Sequence, residues 1–520
     1  MKDVILATDG YKLDHRRQYP KGTEFVYSNW TPRSNTYFPE AKDGVVVFGV
    51  QYMIKEFFIK QFNEKFFKVP KDVAVGRFAR RVRTYLGEDA FKNIGTSHIE
   101  ELYDLGYLPI KIKALEEGTL CPIRVPALTF INTHPDFFWL TNFFETLISN
   151  TLWMPMTSAT SSRLFKKELI RHAKETGYED DPDVILGFSC HDFSMRGMGG
   201  LEATEISGMG HLTSFIGTES LPAIEACEEY YGADAEKELI GATVPATEHS
   251  VMCAGGCEDE FKTFERLIKE VYPTGFISIV SDTWDYWNVI ENYLPALKDT
   301  IMSRDGRVII RPDSGCPEDI ICGLNTKPGY DSKIIDGKYY YKERNANKWT
   351  ECSEGQFYGT YEMMWKIFGG TLTKKGFKKL DGHIGMIYGD SITLARQKEI
   401  YSRLEYKGFA ATNLVLGVGS YTFQYKSRDS LGFAMKATWC QINGEPHEIF
   451  KQPKTDSGMK NSLKGLIQVV RDQDNNLVAN DQCNFLEEGK SLLQTVFENG
   501  KLVKEFTLAD IRRNVDRSLV

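Results

Sequence analysis

His249, in the run PATEHS, stands in a part of the chain where short apolar runs repeatedly end in charge. A neutral imidazole can attack a phosphoryl group or serve as a general base. A satisfied core histidine is the alternative. Asp282, Asp313 and Asp390 close other apolar runs of the same region. A carboxylate beside one ring nitrogen would fix the tautomer and leave the other nitrogen to react; Ser281-Asp282 fits a helix cap equally well. In GRVIIRPDSG (306–315), Arg311 and Asp313 are two apart at a strand end and can face one side. The guanidinium suits phosphate or carboxylate, and the aspartate suits a divalent metal; an ion pair between the two fits the spacing as well. The turn Gly417-Val418-Gly419-Ser420 can present backbone amides to a phosphate. It is followed by Lys426, Arg428, Lys436, Lys451 and Lys460, which suit a polyphosphate or a solvated surface. Phe193 and Tyr11 stand beside polar groups, where two rings can sandwich a planar ligand.

Seven runs carry these groups: ILGFSCHDF, LTSFIGTES, TVPATEHS, FISIVSD, GRVIIRPDSG, IGMIYGD and TNLVLGVGS. Each reads as a buried parallel strand whose last residues reach a site. From about 184 to 420 such runs alternate with helical patterns, the signature of a βαβ sheet or barrel, in which strand C-termini form the active face. Upstream, EFVYSNW (24–30) and GVVVFGVQYMI (44–54) read as strands, and 51–95 as amphipathic helix. Residues 109–131 fit antiparallel strands, and 136–172 a helix capped by Asp136 and interrupted at Pro155. Asp9 is placed to cap a short helix from Gly10. The interval 325–380 reads as an insertion holding a hairpin about Asp336-Gly337, either a lid or a surface decoration. After 430, FAMKATWCQING and LKGLIQVVRDQDNNLV read as antiparallel strands turning at Asn443-Gly444 and Asp474-Asn475, and Thr507 caps a last helix over 507–517.

A chain of 520 residues exceeds one ordinary core, so two domains or an enlarged barrel are expected. A net charge of −8 argues against a nucleic-acid-binding surface, and no run approaches a membrane span. The start MKDVILATDGYK meets an aspartate too early for a signal peptide. Ten scattered cysteines lack disulfide-scaffold spacing, and Cys253 and Cys257 have no second pair at a zinc-like interval. A reduced, cytoplasmic protein is expected.

ATDGYK, HDFSMRG, GTES, VPATEHS, SIVSDT, IIRPDSG, GDSI, KSRDSLGFAMK and KQPK occur in an order and spacing that resemble the nicotinate/nicotinamide phosphoribosyltransferase family along nearly the whole chain. The resemblance implies an α/β fold: an irregular (β/α) barrel of the type II phosphoribosyltransferase kind over 181–429, plus an α+β domain from 1–180 and 430–520. It implies transfer of the phosphoribosyl group of 5-phosphoribosyl 1-diphosphate to nicotinamide in NAD salvage, with Mg2+, and ATP hydrolysis coupled through a phosphohistidine at His249. Phe193 and Tyr11 match the rings that sandwich the pyridine, Tyr11 being lent by the second subunit of a homodimer. Glu219, Arg311 and Ser278 match the remaining nicotinamide contacts. Arg196, His249, Arg311, Gly389, Asp390, Gly419, Ser420, Arg428 and Lys436 match phosphoribosyl and diphosphate contacts. Arg33, Lys451 and Lys460 match basic residues brought across the dimer, and Asp282 and Asp313 match the carboxylates beside the histidine and the metal, directly or through water. Three positions depart from the family pattern: Glu219 stands for an aspartate, Thr243 for a serine and Ser420 for a glycine. Nicotinate as the base, or a catalytically silent ligand-binding protein of the same fold, are the competing expectations.

Overall fold

A computed structural model describes residues 3–178, 183–450 and 463–519. Six parallel strands form its central sheet: β1 Cys190–Asp192, β2 Gly217–Thr218, β3 Gly275–Val280, β4 Gly306–Arg311, β5 Ile384–Tyr388 and β6 Leu414–Val418. Their order is β2-β1-β6-β5-β4-β3, so neighbours in sequence are neighbours in the sheet apart from one gap. Residues 242–247 fill that gap. Ala242 bonds to Ile216 and Thr218, and Pro245 and Thr247 bond to Ser278, closing the sheet into a barrel. TVPATEHS therefore closes the barrel without being a strand, because Pro245 has no N–H to donate to a ladder. ILGFSCHDF is corrected as well: its first half is the helix Asp183–Phe188, and only Cys190–Asp192 pairs.

Alternation along the strands separates the two faces. Ile277, Ile279, Val308, Ile310, Leu414 and Leu416 are buried in a core shared with the outer helices. Ser278, Ile309, Arg311, Ile387 and Val415 instead line a cavity inside the barrel.

A second sheet takes strands from both ends of the chain. Its antiparallel order is Glu445–Glu448, Ala434–Ile442, Thr23–Thr31, Leu128–Asn132, Ile110–Ala114, Gln494–Glu498, Lys501–Leu502. The helix Glu145–Thr176 runs from this layer to the barrel, where it packs on the helix Leu201–Leu212. The expected break at Pro155 does not occur. Pro155 is buried against Gly49, where a Cβ would lie 2.5 Å from the ring, so packing outweighs the lost hydrogen bond. The end helix Leu508–Arg517 carries the expected Thr507 cap, and Arg512 binds the carbonyls of Leu212, Leu239 and Ile240.

Three further expectations are corrected. Only Val45–Val46 of the run 44–54 is a strand, and a helix starts at Val50. Asp9 stands at the head of Gly10–Asp14, but its carboxylate accepts from Thr146 and does not cap. His134, not Asp136, caps the turn before the helices that follow. The hairpin Tyr330–Ile335/Lys338–Glu343 forms about Asp336-Gly337, both with positive φ, and rests through Tyr339 on Phe357 and Tyr358 of the outer layer.

Candidate active site

Strands β3 and β4 end side by side, and their last residues build one end of the site. Asp282 does not cap the next helix; Asp285 does, by accepting from Trp287 and Asn288. Asp282 Oδ2 instead accepts from the Asp313 amide at 2.9 Å, the Ser314 amide at 2.7 Å and the Ser314 hydroxyl at 2.6 Å. His249 opens the helix His249–Ala254. Its Nε2 lies 3.8 Å from both Asp282 Oδ1 and Asp313 Oδ2, and its Nδ1 lies 3.3 Å from Thr283 Oγ1. The ring is half exposed, so a ligand can reach it.

Arg311 Nη1 is 3.7 Å from Asp313 Oδ2, and Arg311 Nη2 donates to the Thr247 carbonyl at 2.7 Å. Burial raises the Asp313 carboxyl above its ordinary range, and the Arg311 charge opposes that shift. Asp282 Oδ1, Asp313 Oδ1, Arg311 Nε and Ser278 Oγ are buried without a hydrogen-bond partner, which marks a site built for a polar ligand. Among the described residues no three His, Cys, Asp or Glu side chains are set to hold a metal by themselves. The free oxygens of Asp282 and Asp313 fit Mg2+, which takes one or two carboxylates and completes its shell with water and substrate phosphate.

The barrel cavity, about 460 Å³, opens from Arg311 and Phe193 and runs between the strands past Ser278, Ile309 and Val415. The Arg311 guanidinium lies 6.0 Å from the Phe193 ring centre, and the His191 ring packs on Phe193 with centroids 4.7 Å apart. Glu219 stands in the cavity wall. Its Oε1 accepts from His191 Nε2 at 3.1 Å and from Thr243 Oγ1 at 2.5 Å. Burial pushes the Glu219 carboxyl up, but those two hydrogen bonds and the charge of Arg311 outweigh it and hold the group below its ordinary range. The cavity therefore offers a slot with a fixed anion on one wall.

Strands β5 and β6 supply the other rim. A Cβ on Gly389 would overlap Asp313 Oδ1, and one on Gly419 would lie 2.8 Å from Asp390 Oδ1, so a side chain at either position would push an aspartate carboxylate of the site aside. Ser420 Oγ abuts Gly197, which brings the loop carrying Arg196 against the glycine turn.

Not every expected residue joins this group. Tyr11 is 62% exposed and lies with His15 and Lys12, outside the cavity lining. Arg33, Arg428 and Lys436 gather on the α+β layer, where Arg33 donates to the Gly432 carbonyl. Burial lowers the Lys436 ammonium; the charge of Glu145 opposes that shift, and those of Arg33, Arg428 and Lys12 add to it. Lys451 and Lys460 lie outside the described residues.

Sequence reasoning assigned no function to His191 or Thr283 and treated Thr243 only as a departure. His191 carried a signal, because it lies in a strand two residues before Phe193.

Residues 188–501 match the nicotinate phosphoribosyltransferase family, and residues 3–112 match the nicotinamide phosphoribosyltransferase N-terminal domain. A nicotinamide phosphoribosyltransferase of Acinetobacter baylyi is 47% identical over 99% of this chain and 97% of its own. Another, of Mycoplasma pneumoniae, is 33% identical over 89% of this chain and 94% of its own. Among solved structures, a nicotinate-nucleotide pyrophosphorylase from Pyrococcus furiosus covers 99% of this chain and 95% of its own with a TM-score of 0.54 at 15% identity. Human nicotinic acid phosphoribosyltransferase covers 98% of this chain and 93% of its own with a TM-score of 0.52 at 12% identity. Those two likenesses establish the type II phosphoribosyltransferase fold. With matches that span nearly its whole length, the chain belongs to the nicotinate/nicotinamide phosphoribosyltransferase family.

Proposed function

We propose that the protein transfers the phosphoribosyl group of 5-phosphoribosyl 1-diphosphate to the ring nitrogen of nicotinamide, a step of NAD salvage. The anomeric C–O bond to diphosphate breaks, the C–N bond forms, and nicotinamide mononucleotide and diphosphate leave. The observation that carries the base assignment is Glu219, held anionic in the wall of the slot by His191, Thr243 and Arg311. A fixed carboxylate accepts from a carboxamide N–H and repels the carboxylate of nicotinate. Phe193 and Arg311 orient the ring from the cavity mouth. The transition state is cation-like at the ribose carbon, with charge building on the departing diphosphate. Arg311, Arg196 and the amides at Gly419-Ser420 would meet that charge, and Asp282 and Asp313 would hold Mg2+, which when bound neutralises it further.

ATP coupling belongs to the same reading. His249 is half exposed, and its Nε2 faces two carboxylates. Phosphorylation there would place new negative charge beside the diphosphate position and tie substrate affinity to ATP turnover. The separation of Tyr11, Arg33, Arg428 and Lys436 from the barrel mouth supports a homodimer in which each copy completes the other's site.

The test is product formation from purified protein, 5-phosphoribosyl 1-diphosphate and Mg2+, offering nicotinamide and nicotinate in parallel, with and without ATP. Nicotinamide mononucleotide from nicotinamide alone, increased by ATP, is the expected result. Product from nicotinate at a comparable rate would overturn the base assignment, and no product from either would overturn the activity. His249→Ala should abolish the ATP stimulation and keep slow transfer; ATP hydrolysis unchanged in that variant would sink the phosphohistidine.

A further inference from the structure

Tyr388 ends β5 beside Gly389 and is 1% exposed. Its hydroxyl lies 3.0 Å from the Ser314 carbonyl and 3.0 Å from the Gly315 carbonyl. Burial raises this phenol far above its ordinary range, so it is a donor at any working pH. From the other side, Asp282 Oδ2 takes the Asp313 amide, the Ser314 amide and the Ser314 hydroxyl. The turn is thus gripped twice: its N–H groups by a carboxylate on the β3 side, its carbonyls by a phenol on the β5 side. The grip matters because this turn aims the Asp313 side chain. Asp313 Oδ2 is 3.8 Å from His249 Nε2 and 3.7 Å from Arg311 Nη1, while Oδ1 presses on Gly389 and has no hydrogen-bond partner. Gly315 has φ +91°, a region that glycine enters readily, so little in the local backbone fixes the end of the turn.

We propose that Tyr388 is a positioning residue for the phosphoribosyl end of the site: its hydroxyl, shared between the Ser314 and Gly315 carbonyls, holds the Asp313–Gly315 turn so that the Asp313 carboxylate faces Arg311 and His249. The inference rests on the phosphoribosyl transfer proposed above. Tyr388 acts through the turn and is not itself part of the cavity lining, which at the pyridine end includes Glu219, Thr243 and Ser278. Its loss should therefore split the kinetic constants by substrate.

Tyr388→Phe removes one hydroxyl from a buried ring and keeps its volume. Tyr361→Phe is the control, since Tyr361 is equally buried and its hydroxyl donates at 3.1 Å to the Ala410 carbonyl, a backbone group with no part in the site. Both variants should melt slightly below wild type. Tyr388→Phe alone should lose about tenfold or more in kcat/KM for 5-phosphoribosyl 1-diphosphate, with KM for nicotinamide within about twofold of wild type, because small misplacements of catalytic groups carry penalties of this size. Amide hydrogen exchange at Ser314 and Gly315 should accelerate in Tyr388→Phe and not in Tyr361→Phe. Wild-type kinetic constants in Tyr388→Phe, or a loss shared equally by Tyr361→Phe, would overturn the inference. Wild-type protein that made no nicotinamide mononucleotide would overturn the activity instead, and the exchange measurement would still decide whether Tyr388 holds the turn.

Discussion

At Glu219 two effects oppose each other, and the winner sets the chemistry of the pocket. Burial alone would raise its carboxyl, while the hydrogen bonds from His191 and Thr243 and the charge of Arg311 lower it. The sign of the pH dependence follows. A carboxyl held below its ordinary range keeps its charge as pH falls through about 4.3, the usual glutamate value, and loses it only below that. Preference for nicotinamide over nicotinate, measured as competitive binding, should therefore be flat from pH 7.5 to about 5. A collapse of preference by pH 6 would show that another group carries it. Glu219→Gln keeps the shape and removes the charge; the preference should fall about tenfold or more, since removing one like-charge repulsion in a partly enclosed pocket is worth at least a factor of this order. At this scale the chemistry-bearing residues were legible because they end apolar runs: His249, Asp282, Arg311 and Asp313 converge as their spacing suggested. Thr283 and Tyr388 were not legible, because a threonine or tyrosine that works through one hydroxyl leaves no pattern in composition or period. The competition between cap and ligand at Asp282 was undecidable from spacing, since Asp285 three residues later offered an equally good cap and took that role.

Among the elements, the helix that starts at Val50 shows how one buried group overrides a strand-like run. GVVVFG carries β-branched and aromatic residues, yet the strand is only Val45–Val46, with Val47 adding two backbone bonds to Gly118 and Thr119 before the chain turns helical. The reason lies elsewhere in the chain. Glu117 is fully buried and accepts from Gly49 N at 3.1 Å, Gln51 N at 2.6 Å and Tyr231 Oη at 2.9 Å, satisfying the orphan donors of a helix N-terminus. Burial nevertheless wins and pushes this carboxyl up to about 7. For a carboxyl raised on folding, the stabilising contribution is complete below the ordinary glutamate range and is lost as pH rises through the folded value. Thermal stability of the wild type should thus decline from pH 5 to pH 8 by a component that Glu117→Gln lacks. The variant should also melt lower at pH 5, by the roughly 1–3 kcal/mol of a buried donor left facing the new amide. Parallel pH profiles for the two proteins would remove Glu117 as the source. The same principle explains the uninterrupted helix through Pro155: its partner, Gly49, lies about a hundred positions away, and a window of local propensity cannot see it. Capped and turn-defined elements were readable in advance because their signals are local, as at Thr507 and at Asp336-Gly337.

For the whole molecule, the residues divide into two groups that one copy keeps apart. The barrel mouth holds Arg311, Asp313, Asp282, His249 and Phe193, and the α+β layer holds Arg33, Arg428 and Lys436, with Tyr11 beside Lys12. Arg33, Arg428 and Lys436 are exposed like charges set close together, with Glu145 and Asp429 the acids beside them, and under the proposed function this patch would be half of a phosphate site. A homodimer with exchanged halves predicts complementation. Arg311→Ala damages the barrel half and Arg428→Ala the basic half, and each variant alone should be nearly inactive. Co-expressed with different tags and purified through both, the mixed dimer contains one site with both lesions and one site with neither. Its rate of nicotinamide mononucleotide formation should reach about half that of wild-type dimer, because a two-fold-symmetric assembly leaves one of two shared sites intact. If each chain instead built its whole site alone, both sites of the mixed dimer would carry a lesion. Its rate would then stay at the mean of the two variants, and the basic patch on the α+β layer would need another ligand.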